Sequence, residues 1–309
     1  MSFSGKNSIK IQIASDFHTE FVCVDDYLGK IDAGADIALV VGDVDNAYNV
    51  VDTTCSLFKK STIKVSVLGN HEFYGVDQNM DDIIGIVKAD AEKKRQSGNQ
   101  IFVLENDVIF IPVGDVVVRI IGATLWTDYN LYYSQFASRM VAYRGMFDFR
   151  AIHDSSVVER LAKEASLGDV DDTSIAMKAT EIFLNRFNRS AKFIEGVLDQ
   201  KHDGPTIVMT HHLPSFSCVA PHFEKSILNP AFASNLDHLL AKGASLWAFG
   251  HTHSSVLRRY RGGTLLVCNP AGYPTDRGRE NIDFDPSLIV DISQSDNGEW
   301  VASLPSAFG

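Results

Sequence analysis

An α/β fold built from two groups of buried strands is predicted by three observations. Short β-branched apolar runs each end abruptly at a polar cluster, stretches of helical spacing separate them, and one long central segment has no strand signal at all. In order, 9–14, 37–41 and 62–68 read as strands buried on both faces, and each polar cluster that follows begins a loop. Helical spacing over 77–95 ends near Ser97 and Gly98, and strand character returns at 101–103 and 116–122. Over 127–204 Tyr, Phe, Arg, Asp and Glu mix with helical periodicity, clearest at 174–198, which predicts a helical insertion. Strands resume at 206–209, 246–249, 264–267 and 288–292, with a helix around 231–240.

The chain has 309 residues, 45% hydrophobic and 22% charged, ordinary values for a globular protein, so a single large domain over 1–309 is expected. Residues 1–8 are polar and lack the apolar core of a secretory signal, and no later stretch resembles a membrane helix. Cys23, Cys55, Cys218 and Cys268 are scattered without paired spacing and read as thiols in a reducing compartment, which predicts a cytoplasmic protein with no membrane partner. A net charge of −11 argues against long nucleic acid as a partner, because such binding draws on many Lys and Arg contacts to phosphate. Arg258, Arg259, Arg261, Arg277 and Arg279 read as a solvated edge, with contact to an anionic ligand as the alternative. Oligomeric state is left open.

The chemistry-bearing residues sit where the strands end. Asp16-Phe17-His18 follows the first run, Gly42-Asp43 the second and Gly69-Asn70-His71-Glu72 the third, with 27 residues from Asp16 to Asp43 and again from Asp43 to Asn70. After the insertion come Thr210-His211-His212 and Gly250-His251-Thr252-His253, again directly after strands, and Asn269 closes the series. One Asp-x-His after a strand is an ordinary capped turn. Five clusters of carboxylate, amide and imidazole at successive strand ends, where α/β sheets present their ligands, point to bound metal.

In this order the clusters resemble the calcineurin-like metallophosphoesterases, whose pattern runs Asp-x-His, Gly-Asp, Gly-Asn-His-Asp/Glu, a lone His and Gly-His-x-His. The resemblance spans 9 to about 292. It is similar in finer detail to a bacterial and phage branch through Gly122-Ala123-Thr124-Leu125-Trp126-Thr127, Asp148-Phe149-Arg150 and Asn269-Pro270-Ala271-Gly272-Tyr273. It implies a four-layer α/β/β/α sandwich of two mixed sheets with the metal site along one edge. It also implies one metal held by Asp16, His18, Asp43 and His253, and a second by Asp43, Asn70, His211 and His251, with Asp43 bridging. Nitrogen and oxygen donors without sulfur suit two divalent ions drawn from Mn, Fe, Ni, Co or Zn.

By the same resemblance a water activated between the metals attacks phosphorus, and His71 assists the leaving oxygen. Many family members carry an Asp three residues after the bridging Asp to orient that histidine. This chain has Asn46 there, so Asn46 is expected to orient His71 by hydrogen bonding alone, with Glu72 or Asp45 as substitutes. His212 is expected behind the ligands or against substrate, His222 in the pocket lining, and Tyr74, Trp126 and Arg150 in a substrate wall. The function implied is metal-dependent hydrolysis of small phosphate esters, diesters ahead of monoesters because no Arg clamp for a dianionic phosphate stands in the motif loops. A nucleotide-derived or cyclic diester is one such substrate. The rivals are a nuclease or nucleotide pyrophosphatase on the same scaffold, and a non-catalytic metal-binding module.

Overall fold

A computed structural model describes residues 8–27, 29–131, 134–155, 172–261, 263–276 and 278–304. The strands in chain order are β1 (Ile9–Ala14), β2 (Ile37–Val41), β3 (Ile63–Val67), β4 (Ile101–Leu104), β5 (Asp107–Val113), β6 (Val116–Ala123), β7 (Thr206–Thr210), β8 (Leu246–Phe249), β9 (Val256–Arg259), β10 (Leu265–Cys268), β11 (Pro274–Thr275), β12 (Gly278–Arg279), β13 (Ile289–Gln294) and β14 (Trp300–Ser303). The helices are α1 (Val50–Leu57), α2 (Met80–Gln96), α3 (Gln135–Gly145), α4 (Asp148–Ala151), α5 (Asp172–Leu198) and α6 (Asp237–Leu240).

Two six-stranded mixed sheets form the frame, one in the order β14-β13-β1-β2-β3-β4 and the other β5-β6-β7-β8-β10-β9. In the first, β1 to β4 are parallel neighbours, and in the second β6, β7, β8 and β10 are. The inner faces pack on each other through Ile11, Ile13, Leu39 and Val65 from one sheet and Val118, Ile120, Ile207 and Val267 from the other. The outer faces are covered by helices, which is why β2, β7, β8 and β10 are buried along their whole length rather than alternating.

Helix α2 is closed at its start by Asn79, whose side chain accepts from the Asp82 amide, and it carries Asp81 and Asp82 in its first turn and Lys93, Lys94 and Arg95 in its last. Those charges oppose the helix dipole at both ends. Its apolar stripe, Ile83, Val87 and Ala91, lies on the first sheet's side. Helix α5 repeats the arrangement on the second sheet with Ile175, Ala179, Phe183 and Phe187 spaced four apart.

Helices α3, α4 and α5 fall within the span predicted to be a helical insertion, of which 156–171 lie outside the described residues, as do 1–7 and Arg277. The helix expected at 231–240 is instead a short 3-10 turn, Asn229–Ala231, and the four-residue α6, because the chain between them pairs Leu213 with Ala233. Arg258 and Arg259 donate to the Ser217, Gly263 and Ala302 carbonyls, and Arg279 lies over the Tyr27 ring. This part of the basic stretch therefore serves the chain's own backbone and core. Among the described residues no helix is long and apolar enough to cross a membrane.

Candidate metal centre

The parallel strands bring their C-terminal ends to one rim, and the two sheets are stitched together there. Ser15 bridges to Pro270, the His251 amide donates to the Asp16 carboxylate, and His211 Nδ1 lies 2.8 Å from the Val41 carbonyl. Asp16 and His18 leave β1, Asp43 leaves β2, Asn70 and His71 leave β3, His211 leaves β7, and His251 and His253 leave β8. Two glycines make the close approach possible. A Cβ at Gly42, whose φ is +85°, would overlap the His211 ring, and one at Gly69 would overlap the Asp43 carboxylate.

The backbone is strained where the ligand-type side chains turn inward. Asp16, His18, Asp43, His251 and His253 all have φ between 49° and 68°, and they are five of the ten non-glycine residues in that region among the described residues.

Three clusters result, Asp16 with His18 and His253, Asp43 with His211 and His251, and His18 with Asp43 and His71 between them. His211 Nε2 is 3.3 Å from Asp43 Oδ2 and 3.1 Å from Asn70 Oδ1. His253 Nε2 is 3.4 Å from Asp16 Oδ1 and 3.0 Å from His18 Nε2. The outward nitrogen of three of the imidazoles faces an acceptor: His211 Nδ1 the Val41 carbonyl at 2.8 Å, His18 Nδ1 Glu20 at 3.2 Å, and His253 Nδ1 Glu280 at 2.6 Å. A proton held there leaves the inner Nε2 lone pair free, the arrangement expected of metal-binding histidines. His251 Nε2 is buried without a hydrogen-bond partner. Two carboxylates, an amide and inward-facing imidazoles, with no sulfur, fit a pair of divalent cations.

The electrostatics follow from burying opposite charges together. Burial opposes ionisation of Asp43, but the neighbouring His211 and His71 charges overcome it and hold its carboxyl well below the usual range. Burial likewise opposes protonation of His211 and His253. Asp43 nevertheless raises His211 to about 9, and Asp16 with Glu280 raises His253 to about 10. Protons and divalent cations compete for these nitrogens, so metal uptake releases protons.

Around His71 the structure departs from the sequence expectation. Its Nδ1 is 2.8 Å from Glu20 Oε1, the same oxygen that faces His18 Nδ1. Asn46 does not reach the ring, because its side-chain carbonyl accepts from the Tyr48 amide within its own loop. Asp45 accepts from the Asn46 amide and Thr19, and Glu72 from the amides of Asp43, Val44 and Gly69. None of the three orients His71. On the other side, His71 Nε2 is 2.9 Å from the Tyr273 hydroxyl.

A cavity of about 370 Å³ opens over Asp43, Asn70, His71 and His251. Tyr74 lines it, its hydroxyl accepting from Asn70 Nδ2 and donating to Asp148. The other expected wall residues lie elsewhere. Trp126 is buried between Phe73, Phe183 and His212, because the chain turns inward at Leu125 and Trp126. Arg150 is exposed and donates to the Met146 and Arg144 carbonyls. His212 is buried behind the ligand-type residues, its ring 4.3 Å from that of His251, and burial with the nearby His211 charge pushes it down to about 3. His222 borders a separate hollow with Ser254 and Asp283.

A buried Asp and His cluster at the common edge of two packed mixed sheets defines the class: a metal-site protein of the phosphoesterase type. Residues 9–255 match the calcineurin-like phosphoesterase family model, and the chain belongs to that family. It is 24% identical to an uncharacterized protein of Acanthamoeba polyphaga mimivirus, across 92% of this chain and 97% of that one. Among solved structures it is similar to the phosphopantetheinyl hydrolase PptH of Mycobacterium tuberculosis, at 15% identity and a TM-score of 0.55 over 87% of this chain and 91% of that one. It also aligns with a dimetal phosphatase from Danio rerio, at 11% identity and a TM-score of 0.46 over 92% of each chain.

Proposed function

We propose that this protein hydrolyses small phosphate esters, diesters ahead of monoesters, with two divalent cations held by Asp16, His18, Asp43 and His253 and by Asp43, Asn70, His211 and His251. The observation that carries this reading is Asp43, whose carboxylate belongs to clusters on both sides of it. Cations bound there would polarise the phosphoryl oxygens and make a water molecule acidic enough to attack near neutral pH.

The chain's own residues supply the rest. Against the pull of burial, Asp43 and Glu20 raise the His71 pKa, which favours a ring carrying both protons. Glu20 accepts the Nδ1 proton and fixes the plane of the ring, leaving Nε2–H toward the cavity. As the oxygen of water bonds to phosphorus and the bond to the leaving oxygen breaks, Nε2 gives its proton to that oxygen. Asn70 is held by Tyr74, itself anchored on Asp148, so the amide oxygen stays turned toward His211.

We read 1–309 as one domain in which 127–204 narrows access, a reading supported by Met146 and Phe147 in the cavity wall. The four cysteines are unpaired, which supports a cytoplasmic setting. The charge of −11 supports small substrates over long nucleic acid.

The test is hydrolysis of bis(4-nitrophenyl) phosphate and 4-nitrophenyl phosphate by chelator-stripped protein, before and after addition of Mn, Fe, Ni, Co or Zn. Turnover that disappears on stripping and returns with metal is expected, the diester being the faster substrate. Turnover indifferent to metal would overturn the assignment, and a faster monoester would overturn the diester preference.

Glu20 gives a second test. Because its one oxygen faces both His18 and His71, Glu20→Ala is expected to weaken divalent-metal affinity about 10- to 100-fold, as loss of a carboxylate behind a ligating histidine does. Competition against a chelating dye reads this directly. Wild-type affinity would mean that His18 needs no such support.

A further inference from the structure

Among the described residues eleven large apolar side chains are exposed, and three of them converge on His71. Phe21, Phe147 and Tyr273 are 59%, 61% and 38% exposed. They come from the loop after β1, the turn before α4 and the loop after β10. Phe21 lies edge-on to both His71 and Tyr273, with ring centroids 6.2 and 5.9 Å apart. Phe147 stands 5.6 Å from Tyr74, which in turn lies 4.4 Å from His71.

Together with Pro274, these rings border an open hollow that shares His71, Tyr74, Phe147 and Tyr273 with the cavity over the metal-type residues. Exposed aromatic surface has no structural benefit in the free protein, and here three such rings lie together beside the nitrogen aimed at the leaving oxygen. No described residue lining either space is Lys or Arg, and the charged side chains lining the cavity are the acidic Asp43 and Glu280 beside the imidazoles. Such a surface favours a flat uncharged group and offers nothing to a second phosphate.

Resting on the hydrolase reading above, we propose that the leaving arm of the substrate is an uncharged planar ring, clamped between Phe21, Phe147 and Tyr273 beside His71. The retained arm then lies in the cavity, whose far wall is apolar through Leu213, Leu228 and Phe232. The clamp acts on binding, so it is measurable without turnover.

The experiment is calorimetric titration of the metal-reconstituted protein with benzyl(methyl)phosphinate and ethyl(methyl)phosphinate, two monoanions without a cleavable ester bond that differ in the ring. The benzyl compound is expected to bind about tenfold more tightly, the scale of one ring stacked on aromatic side chains. In Phe21→Ala and Phe147→Ala, both at exposed positions that the fold does not need, the ratio is expected to fall toward one. A para-phosphate on the ring is expected to abolish the gain.

A ratio near one in the unaltered protein, or a ratio that neither variant changes, would overturn the clamp. So would a para-phosphate compound that binds as well as the bare benzyl phosphinate. Ring preference in a protein that hydrolyses nothing would leave the clamp standing and remove the hydrolase reading. Turnover without ring preference would do the reverse.

Discussion

Asp43→Asn is expected to lower turnover of bis(4-nitrophenyl) phosphate on the order of 10⁴-fold or more and to reduce metal content below two ions per chain. The substitution keeps shape and removes charge. Asp43 Oδ1 accepts from the His71 amide and Oδ2 lies 3.3 Å from His211, so an amide can preserve the first contact while losing the anionic oxygen that two cations would share. Burial makes the change severe, because the neighbouring imidazoles lose the counter-charge that holds them. Metal analysis of the purified variant, alongside steady-state rates and an unfolding curve, separates a failed site from a failed fold. Two ions per chain with near-normal turnover would show that the centre does not depend on a bridge at this position.

His71→Ala is expected to leave metal content intact and to lower kcat about 10²- to 10⁴-fold, the range for loss of a positioned proton donor. The size of the loss depends on the leaving group. 4-Nitrophenolate departs with little help, whereas an alkoxide needs its proton as the bond breaks, so the deficit is expected to grow for diesters with alkyl leaving arms. A rate measured across a series of leaving groups gives this as a slope. An unchanged slope and unchanged rates would remove His71 from proton transfer, and His71→Asn, which keeps a hydrogen-bond donor without an exchangeable imidazolium, distinguishes charge from simple contact.

Strands covered on both faces were legible in the sequence. The runs at 37–41 and 246–249 coincide with β2 and β8 because each is covered along its whole length and apolar throughout, and the run at 9–14 coincides with β1 through its buried Ile9, Ile11 and Ile13. The edges were not. Strand β5 carries Pro112 and mixed burial, and β9 ends in exposed Arg258 and Arg259, so neither has a periodicity that distinguishes it from a loop. Helix α1 is only eight residues long, too short for its buried Val50, Val51 and Leu57 to repeat as a helical stripe.

The ligand-type residues could be read because each follows a strand and its type is chemically distinctive. Glu20 could not, since its partnership with His71 spans 51 residues and depends on how two loops meet. Its place two residues after His18, in a loop that the motif already marked, was the only signal. Phe21 and Phe147 were invisible for a related reason: a sequence gives no sign that a phenylalanine is exposed. Trp126 erred in the opposite sense, a strand-exit aromatic carried inward to meet Phe183 of α5.

The left-handed backbone at Asp16, His18, Asp43, His251 and His253 bears on how this protein can fail. Each such residue costs up to roughly 1–2 kcal/mol, so the five together draw on a margin comparable to the whole net stability of a domain. The sheets clamp these turns in place, and any loosening of the sandwich lets them relax toward ordinary conformations before the strands themselves separate. Damage far from the rim, in the interleaved apolar faces, therefore reaches the rim loops first: a weakened molecule would still look folded while its side chains had already stopped pointing at one another.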